Sequence, residues 1–254
     1  MANLIACNLN SYRQFCNEAY EHLARIGLTN VEIPCPAADE AGAKLKELDG
    51  FGLKATTIIV QCRMEEDDAV KQVTASLDVV QQMGVQVVFT SVKAGDLDRG
   101  MVYGRLREIG DAAAARGIVV AMETHPDLIT NGDVARETME GVNHPNVRVN
   151  FDTGNVHFYN ENVTAVGELE KIIDFVGAVH LKDTNGGYQT WHFPALGEGV
   201  VDYPAVFGML KDKGFTGPYT MELEGIRDEE ITKADVERRV EKSLEYLRSH
   251  GLMD

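Results

Sequence analysis

The stretch Val147-Arg-Val-Asn-Phe-Asp152-Thr-Gly154 joins a short run of mostly apolar, β-branched residues to an acidic residue and a turn. Runs of this kind are typical of strands in parallel sheets, which are covered on both faces. Seven further runs of the same character lie on either side of it. The eight predicted strands are Leu4–Cys7, Val31–Cys35, Ala55–Cys62, Val85–Thr90, Ile118–Glu123, Val147–Asp152, Ala178–Leu181 and Pro218–Leu223.

Most of these runs follow one another at intervals of roughly 30 residues, which is the length of one βαβ unit. Helical patterns fill the intervals, most clearly at Glu65–Met83, Gly104–Arg116, Val134–Val142, 202–214 and Thr232–Ser249. Eight such units predict the α/β class and a single (β/α)₈ TIM barrel domain over residues 1–254. An open doubly wound sheet is the alternative, but it calls for a Gly-rich phosphate turn after the first strand, and 8–12 has none.

Composition narrows the classes of function. The formal net charge is −16, with 40 acidic against 24 basic residues, which argues against a nucleic-acid partner. No apolar run reaches the roughly 18 residues of a membrane span, and the N-terminus does not resemble a signal peptide. We therefore expect a cytoplasmic protein with reduced cysteines and no nucleic-acid or membrane partner. We also expect a small-molecule substrate and a homo-oligomeric state.

The last four predicted strands end in chemically active side chains. Glu123, Asp152, His180 and Glu222 each close or follow a different strand. In a barrel the carboxyl ends of the strands meet at one mouth, so these side chains should converge there. Three carboxylates in a confined site repel one another unless a cation lies between them. Three oxygen ligands and one nitrogen suit Mn²⁺, Mg²⁺ or Co²⁺ better than the sulfur-rich sets of structural zinc. For any one carboxylate, a helix cap or a surface ion pair is the alternative.

The segments Ala-Met-Glu123, Phe-Asp152-Thr-Gly, Val-His180-Leu-Lys-Asp and Tyr-Thr-Met-Glu222 resemble the metal-binding strand ends of the xylose isomerase-like barrels. That superfamily of sugar phosphate isomerases and epimerases includes ketose 3-epimerases, hydroxypyruvate isomerase, inosose isomerase and inosose dehydratase. The resemblance implies that Glu123, Asp152, His180 and Glu222 bind one divalent ion, with Mn²⁺ first and Mg²⁺, Co²⁺ or Zn²⁺ as alternatives. It also implies that Glu123 and Glu222 are the catalytic acid/base pair.

The sequence departs from many relatives three residues after the Asp of the sixth strand. Asn155 stands where they have a His, and His157 follows two positions later. This departure leaves the substrate open. The related DNA-repair endonuclease of this fold binds three zinc ions with extra histidines. Here the ends of strands two to four offer Cys35, Cys62 and Thr90 instead, so we do not favour an endonuclease.

The resulting hypothesis is a metal-dependent sugar isomerase or epimerase acting through a metal-stabilised enediolate on a small polyhydroxy ketone or aldehyde. Return of the proton to the opposite face of the same carbon gives an epimer, and delivery to the adjacent carbon gives an isomer. Loss of a β-hydroxyl would instead give a lyase, either inosose dehydratase-like or a subunit that cleaves a keto-glycoside. A non-catalytic sugar-binding protein is the third alternative.

Further polar residues are candidates for substrate contact. His125 follows Glu123 by two positions, where it either binds a substrate hydroxyl or caps a loop. Lys182 is either a substrate contact or the partner of a nearby carboxylate. Glu224 either orients Glu222 or forms a separate salt bridge. The other candidates for substrate contact are Asn155, His157 and Asp183.

An unusually long segment separates the last two predicted strands. It spans 184–199 and contains Trp191, the one Trp of the chain, between glycines. Long loops in compact domains are usually functional, so we expect a lid or a sugar-stacking wall in which Trp191, His192 and Glu198 contact the substrate. A structural plug or an oligomer contact is the alternative. Cys7, Cys35 and Cys62 end three successive strands, and we expect them to fill the barrel rim and not to bind zinc.

Overall fold

The computed structural model describes residues 3–253, and Met1, Ala2 and Asp254 lie outside the described residues. The strands, in chain order, are β1 (Leu4–Asn8), β2 (Asn30–Pro34), β3 (Lys54–Ile59), β4 (Val87–Thr90), β5 (Val119–Glu123), β6 (Val147–Asp152), β7 (Val176–Leu181), β8 (His192–Phe193), β9 (Pro218–Met221) and β10 (Gly225–Ile226). Eight of them form a closed parallel barrel in the order β1-β2-β3-β4-β5-β6-β7-β9, and β8 pairs with β10 in a separate antiparallel ribbon. The predicted TIM barrel is confirmed.

Helices surround the barrel. They are α1 (Ala19–Arg25), α2 (Ala41–Gly50), α3 (Ala69–Gln82), α4 (Arg99–Ala114), α5 (Gly132–Val142), α6 (Asn155–Tyr159), α7 (Ala165–Ile172), α8 (Tyr203–Asp212) and α9 (Lys233–Ser249), with 3₁₀ segments at Leu9–Glu18 and Ile173–Phe175. None of the helices within residues 3–253 is both long enough and apolar enough to span a membrane.

The helices pack on the barrel through apolar stripes that the sequence encodes at helical spacing. In α9 the buried residues Val236, Val240, Leu244 and Leu247 lie on one face. Burying an aliphatic side chain of this size contributes about 1.5–3 kcal/mol to folding. The start of α9 is fixed by a capping box in which Thr232 and Asp235 exchange hydrogen bonds.

Several predicted boundaries differ from the structure. β3 ends at Ile59 and not at Cys62, and α3 begins at Ala69 and not at Glu65. Val60 is nevertheless 2% exposed, because an apolar residue can be buried beyond the point where its strand stops pairing. The long segment before the last barrel strand contributes β8, which the sequence did not predict.

Strand register places the chemistry of the second half of the barrel. Asp152 is the partner of His180 across the β6–β7 ladder. Leu4–Cys7 pairs with Pro218–Met221, so β9 closes the barrel against β1 and brings Glu222 to the same mouth. The β2–β3 register shifts between Val31 and Glu32, an irregularity of the kind that often occurs beside functional sites.

Candidate functional site

Four predicted ligands lie together at the carboxyl end of the barrel. Glu123, Asp152, His180 and Glu222 each offer one ligand atom, and these atoms lie within 4.8 Å of one another. Asp152 and His180 are fully buried and Glu123 nearly so, whereas the side chain of Glu222 is 12% exposed. We call these four residues, which could together hold one metal ion, the metal cluster.

His180 lies between the other three residues of the metal cluster and a further carboxylate on the far side of its ring. Its Nδ1 lies 3.1 Å from Glu222 Oε2, 3.8 Å from Glu123 Oε1 and 4.0 Å from Asp152 Oδ2. Its Nε2 lies 3.1 and 3.2 Å from the two oxygens of Glu32. A carboxylate that accepts from the second ring nitrogen fixes the orientation of a metal-binding histidine. Nδ1 is therefore the atom that His180 presents to the site.

Glu32 is a buried residue beside the metal cluster that the sequence did not predict as part of the site. It is 1% exposed and also accepts a hydrogen bond from Asn8 Nδ2 at 2.8 Å. Asn8 Nδ2 lies 3.3 Å from Glu222 Oε1 as well, so it connects the two glutamates. The available signal was an acidic residue inside the apolar run Val31–Cys35, since a charge buried in a strand needs a partner.

Lys182 brings a positive charge into the acidic site. Its Nζ lies 2.7 Å from Glu222 Oε2, 3.0 Å from Asp152 Oδ2 and 2.8 Å from Glu224 Oε2. Nζ also donates to Asn155 Oδ1 at 3.2 Å and lies 5.2 Å from the centre of the Phe193 ring. The side chain is 2% exposed. Its ammonium group is therefore occupied by protein acceptors at the edge of the metal cluster.

Asp152 uses its two oxygens differently. Oδ1 accepts hydrogen bonds from the backbone N–H groups of Gly154 and Asn155, at 2.8 and 2.9 Å. Oδ2 is buried and accepts no hydrogen bond, although it is ion-paired with Lys182. A buried carboxylate oxygen without a hydrogen bond is costly unless a cation contacts it. Oδ2 therefore remains available as a ligand.

Asn155, at the position where many relatives have His, turns toward the catalytic candidates. Its Nδ2 donates to Glu123 Oε1 at 3.3 Å and to the backbone carbonyl of Thr124 at 3.2 Å. Because its Oδ1 accepts from Lys182, Asn155 bridges that lysine and Glu123. The structure thus brings Asn155 and Lys182 to the metal cluster.

The carboxyl groups of the site differ in acidity. Burial raises the pKa of Asp152 to about 7, despite the opposing charge of Lys182. Burial also acts on Glu123, but hydrogen bonds with His125 and His180 outweigh it and lower its pKa to about 2. For Glu222, the charges of Lys182 and His180 overcome burial and hold the pKa well below its usual range. Glu123 and Glu222 are therefore both ionised at neutral pH.

The donor set fits a divalent cation. A metal bonded to oxygen or imidazole nitrogen at about 2.0–2.2 Å holds its ligand atoms at most a little over about 4 Å apart. The four ligand atoms here lie within 4.8 Å of one another, which is close to that limit. Acidic side chains also outnumber basic ones, since Glu32 and Glu224 join the three carboxylates of the metal cluster against Lys182 and His180. Glu123, Asp152, His180 and Glu222 could therefore hold such an ion with modest movement.

One wall beside the metal cluster is formed by aromatic and imidazole side chains. His125 Nδ1 lies 3.4 Å from Glu123 Oε2, and the Tyr159 hydroxyl lies 2.9 Å from His125 Nε2. Ring centres of Trp191 lie 5.9 Å from Phe158 and 5.3 Å from Phe193. Phe158, Trp191 and Phe193 form what we call the aromatic wall. Trp191 is 36% exposed and so retains a free surface.

Asp183 organises the long segment that carries Trp191 and Phe193 of the aromatic wall. Its carboxylate accepts backbone hydrogen bonds from Thr184, Gly197, Gly199 and Val201, at 2.8–3.2 Å. The residue is 1% exposed. A Cβ at Gly199 would lie 2.2 Å from Asp183 Oδ1, which explains the glycine there. Asp183 thus faces the backbone of its own loop.

The remaining candidates for substrate contact do not bond to the metal cluster within residues 3–253. His157 is buried, and burial lowers its pKa. Glu198 pairs with Lys242, with 2.6 Å between Oε1 and Nζ, and His192 lies in the β8–β10 ribbon. The cysteines are free thiols, and none of them belongs to the group of described residues that could hold a metal ion.

Comparisons with known proteins agree with this architecture. The model of the xylose isomerase-like TIM barrel family matches residues 20–250. L-ribulose-5-phosphate 3-epimerase UlaE of Salmonella paratyphi C (strain RKS4594) is 29% identical over 170 residues, or 62% of this chain and 58% of that protein. The aligned part of the chain thus spans less than two thirds of the length of this relative.

Two solved structures share the fold across nearly the whole chain. D-allulose 3-epimerase from Methylomonas sp. superposes with a TM-score of 0.77 at 19% identity, covering 98% of this chain and 100% of that one. The IOLI protein, whose structure is described as binding a zinc atom, superposes with a TM-score of 0.74 at 18% identity, covering 97% and 98%. Since the family model matches most of the chain, this protein belongs to the xylose isomerase-like TIM barrel family.

Proposed function

We propose that this protein is a divalent-metal-dependent sugar isomerase or epimerase that acts on a small polyhydroxy ketone or aldehyde. One observation carries the proposal: Glu123 and Glu222 flank His180 in a buried site, with their oxygens 3.8 and 3.1 Å from its Nδ1. They come from the two ends of the arc β5-β6-β7-β9. Two ionised carboxylates on either side of His180 suit removal and return of a proton at one carbon.

The names of the relatives favour epimerisation over isomerisation. Both the UlaE relative and the Methylomonas structural neighbour are described as 3-epimerases of ketoses. We therefore propose inversion at the carbon next to the carbonyl of a ketose as the leading reaction. A lyase on the same scaffold is the alternative that the experiment below separates from it.

The residues have distinct roles in this reaction. A bound divalent ion would polarise the substrate carbonyl and so acidify the neighbouring C–H bond. One of Glu123 and Glu222 removes that proton, and the electron pair of the C–H bond forms the double bond of an enediolate. The other carboxylate takes up a proton from solvent and returns it to the opposite face of the same carbon, while the first carboxylate releases its proton to solvent. General acid–base help of this kind contributes about 10²–10⁴-fold in rate.

Neighbouring side chains hold this machinery in place. His125 contacts Glu123, and the Tyr159 hydroxyl contacts His125 in turn. The aromatic wall provides an apolar surface on which the C–H face of a sugar could stack. For the metal, three oxygens and one nitrogen favour Mn²⁺, with Mg²⁺, Co²⁺ and Zn²⁺ as alternatives.

The test is incubation of a panel of ketoses and ketose phosphates in deuterated water with Mn²⁺, followed by NMR. We expect deuterium at the carbon next to the carbonyl, together with the epimeric sugar and no loss of water. Glu123→Gln and Glu222→Gln should each abolish product formation, whereas Glu47→Gln, on the surface beside Lys44, should not. A new enone chromophore would identify a lyase, and the absence of any conversion across the panel would contradict the proposed function.

A further inference from the structure

Lys182 contacts two carboxylate oxygens that belong to the metal cluster. Its Nζ lies 2.7 Å from Glu222 Oε2 and 3.0 Å from Asp152 Oδ2. The same two oxygens lie 3.1 and 4.0 Å from His180 Nδ1, the nitrogen that faces the site. An ammonium group and a divalent ion would therefore draw on the same two carboxylate oxygens.

The surroundings of Lys182 favour a role as the partner of nearby carboxylates over a substrate contact. Its side chain is 2% exposed, and Nζ lies within 3.2 Å of carboxylate oxygens of Asp152, Glu222 and Glu224 and of Asn155 Oδ1. These four neighbouring oxygen atoms outnumber the three N–H groups of an ammonium group. A sugar hydroxyl would have to displace one of them.

Glu224 gives the ammonium group a position outside the metal cluster. Its Oε2 lies 2.8 Å from Nζ, and its side chain is 32% exposed at the mouth. The Phe193 ring, 5.2 Å from Nζ, adds a second favourable contact for a cation. These contacts can retain Lys182 beside the site while Asp152 and Glu222 turn toward another cation.

We propose that Lys182 is a built-in competing cation that weakens the binding of the divalent ion by sharing the oxygens of Asp152 and Glu222. The inference rests on the proposed function, because it requires that an ion binds at the metal cluster. Two positive centres close to the same carboxylates repel each other strongly in a poorly hydrated site. Lys182 thus sets metal affinity, and Glu224 limits the competition by drawing the ammonium group away.

The alternative is that Lys182 only holds the carboxylates in position. The two roles predict opposite changes when its charge is removed. Loss of a competing cation leaves the acidic oxygens free and strengthens metal binding. Loss of a positioning group disorders the ligands and weakens it.

The experiment is isothermal titration of Mn²⁺ into chelator-treated protein. We expect Lys182→Met to bind Mn²⁺ at least about tenfold more tightly than the wild type. Glu224→Gln, which leaves the ammonium group to Asp152 and Glu222, should bind more weakly. Lys213→Met is the matched control, because Lys213 pairs with exposed Asp174 at 2.8 Å away from the metal cluster, and its affinity should be unchanged.

The outcomes separate this inference from the proposed function. Wild-type protein that binds no Mn²⁺, Mg²⁺, Co²⁺ or Zn²⁺ would overturn the metal dependence and the inference together. Wild-type binding with equal or weaker binding by Lys182→Met would overturn the inference alone. If Lys182→Met does not fold, Lys182→Gln removes the charge, keeps a hydrogen-bond donor and is read by the same criteria.

Discussion

Glu32 and His180 form a buried carboxylate–imidazole pair across the barrel, with 3.1 Å between Oε1 and Nε2 and both side chains 1% exposed. The pair joins residues 148 positions apart in the sequence. It leaves Nδ1 of His180 directed toward Glu123, Asp152 and Glu222. The orientation of the one imidazole in the metal cluster therefore depends on a strand from the opposite half of the chain.

Replacing Glu32 should test this dependence. Glu32→Gln retains the shape of the side chain but removes the charge that supports His180, so we expect metal affinity to fall by about 10–100-fold. Equilibrium dialysis with Mn²⁺ measures the change. Glu21→Gln, at an exposed position of α1, serves as control. Unchanged affinity in Glu32→Gln would show that the pair is not needed to orient the ligand.

The aromatic wall should act on substrate binding. Trp191→Ala removes the exposed ring while leaving the metal cluster intact, so we expect a higher KM with a much smaller change in kcat. Steady-state kinetics on the best ketose of the panel provides the measurement. Phe51→Ala is the matched control. Phe51 is also an exposed aromatic residue, with 42% of its surface accessible, and it follows α2 in a different part of the chain. A change in kcat alone would argue against a stacking surface.

Asp183 should matter for stability because its carboxylate satisfies four backbone N–H groups in the loop that follows β7. Asp183→Asn replaces one acceptor oxygen by a donor and leaves buried N–H groups unpaired. We expect a loss of about 3 kcal/mol or more in the free energy of unfolding, measured by urea denaturation. Asp174→Asn, which removes one exposed ion pair, should change the free energy of unfolding much less.

Cys7 and Cys62 should be protected from thiol reagents in the folded protein. Burial raises the pKa of both Cys7 and Cys62 to about 12, so at pH 8 only about one thiol in 10⁴ is ionised at either position. A raised pKa in the folded protein suppresses the reactive thiolate until the pH approaches that value. We expect neither residue to react with iodoacetamide at pH 8 until urea unfolds the chain. Peptide mass spectrometry reads out each site, and rapid labelling of folded Cys7 would contradict its burial.

The barrel could be predicted from sequence because its signals are local. Each strand such as Val147–Asp152 is a short apolar run, and each helix has its own stripe and caps. The four residues of the metal cluster could be proposed because they lie at the carboxyl ends of strands, and these ends must meet in a barrel. The β8–β10 ribbon could not be predicted, since strands of two residues carry no periodicity.

Glu32 and Asp183 show what sequence patterns leave out. The sequence pattern shows that Glu32 is an acidic residue in a strand. Its contact with His180 depends on the register of the strands around the barrel. The direction of the Asp183 side chain depends on the path of the loop between Gly197 and Val201, which only the folded backbone determines. The contacts of both side chains therefore depend on the folded chain and not on local sequence.

The pairing of β1 with β9 has a consequence for how this protein is made. The side chain of Asn8 bonds to Glu222, which emerges from the ribosome 214 positions later. A nascent chain that already contains Glu123, Asp152 and His180 still lacks the last carboxylate and the strand that seals the ring. Translation must therefore pass Glu222 before any chain can acquire a complete site, and products that stop short of that residue cannot carry one.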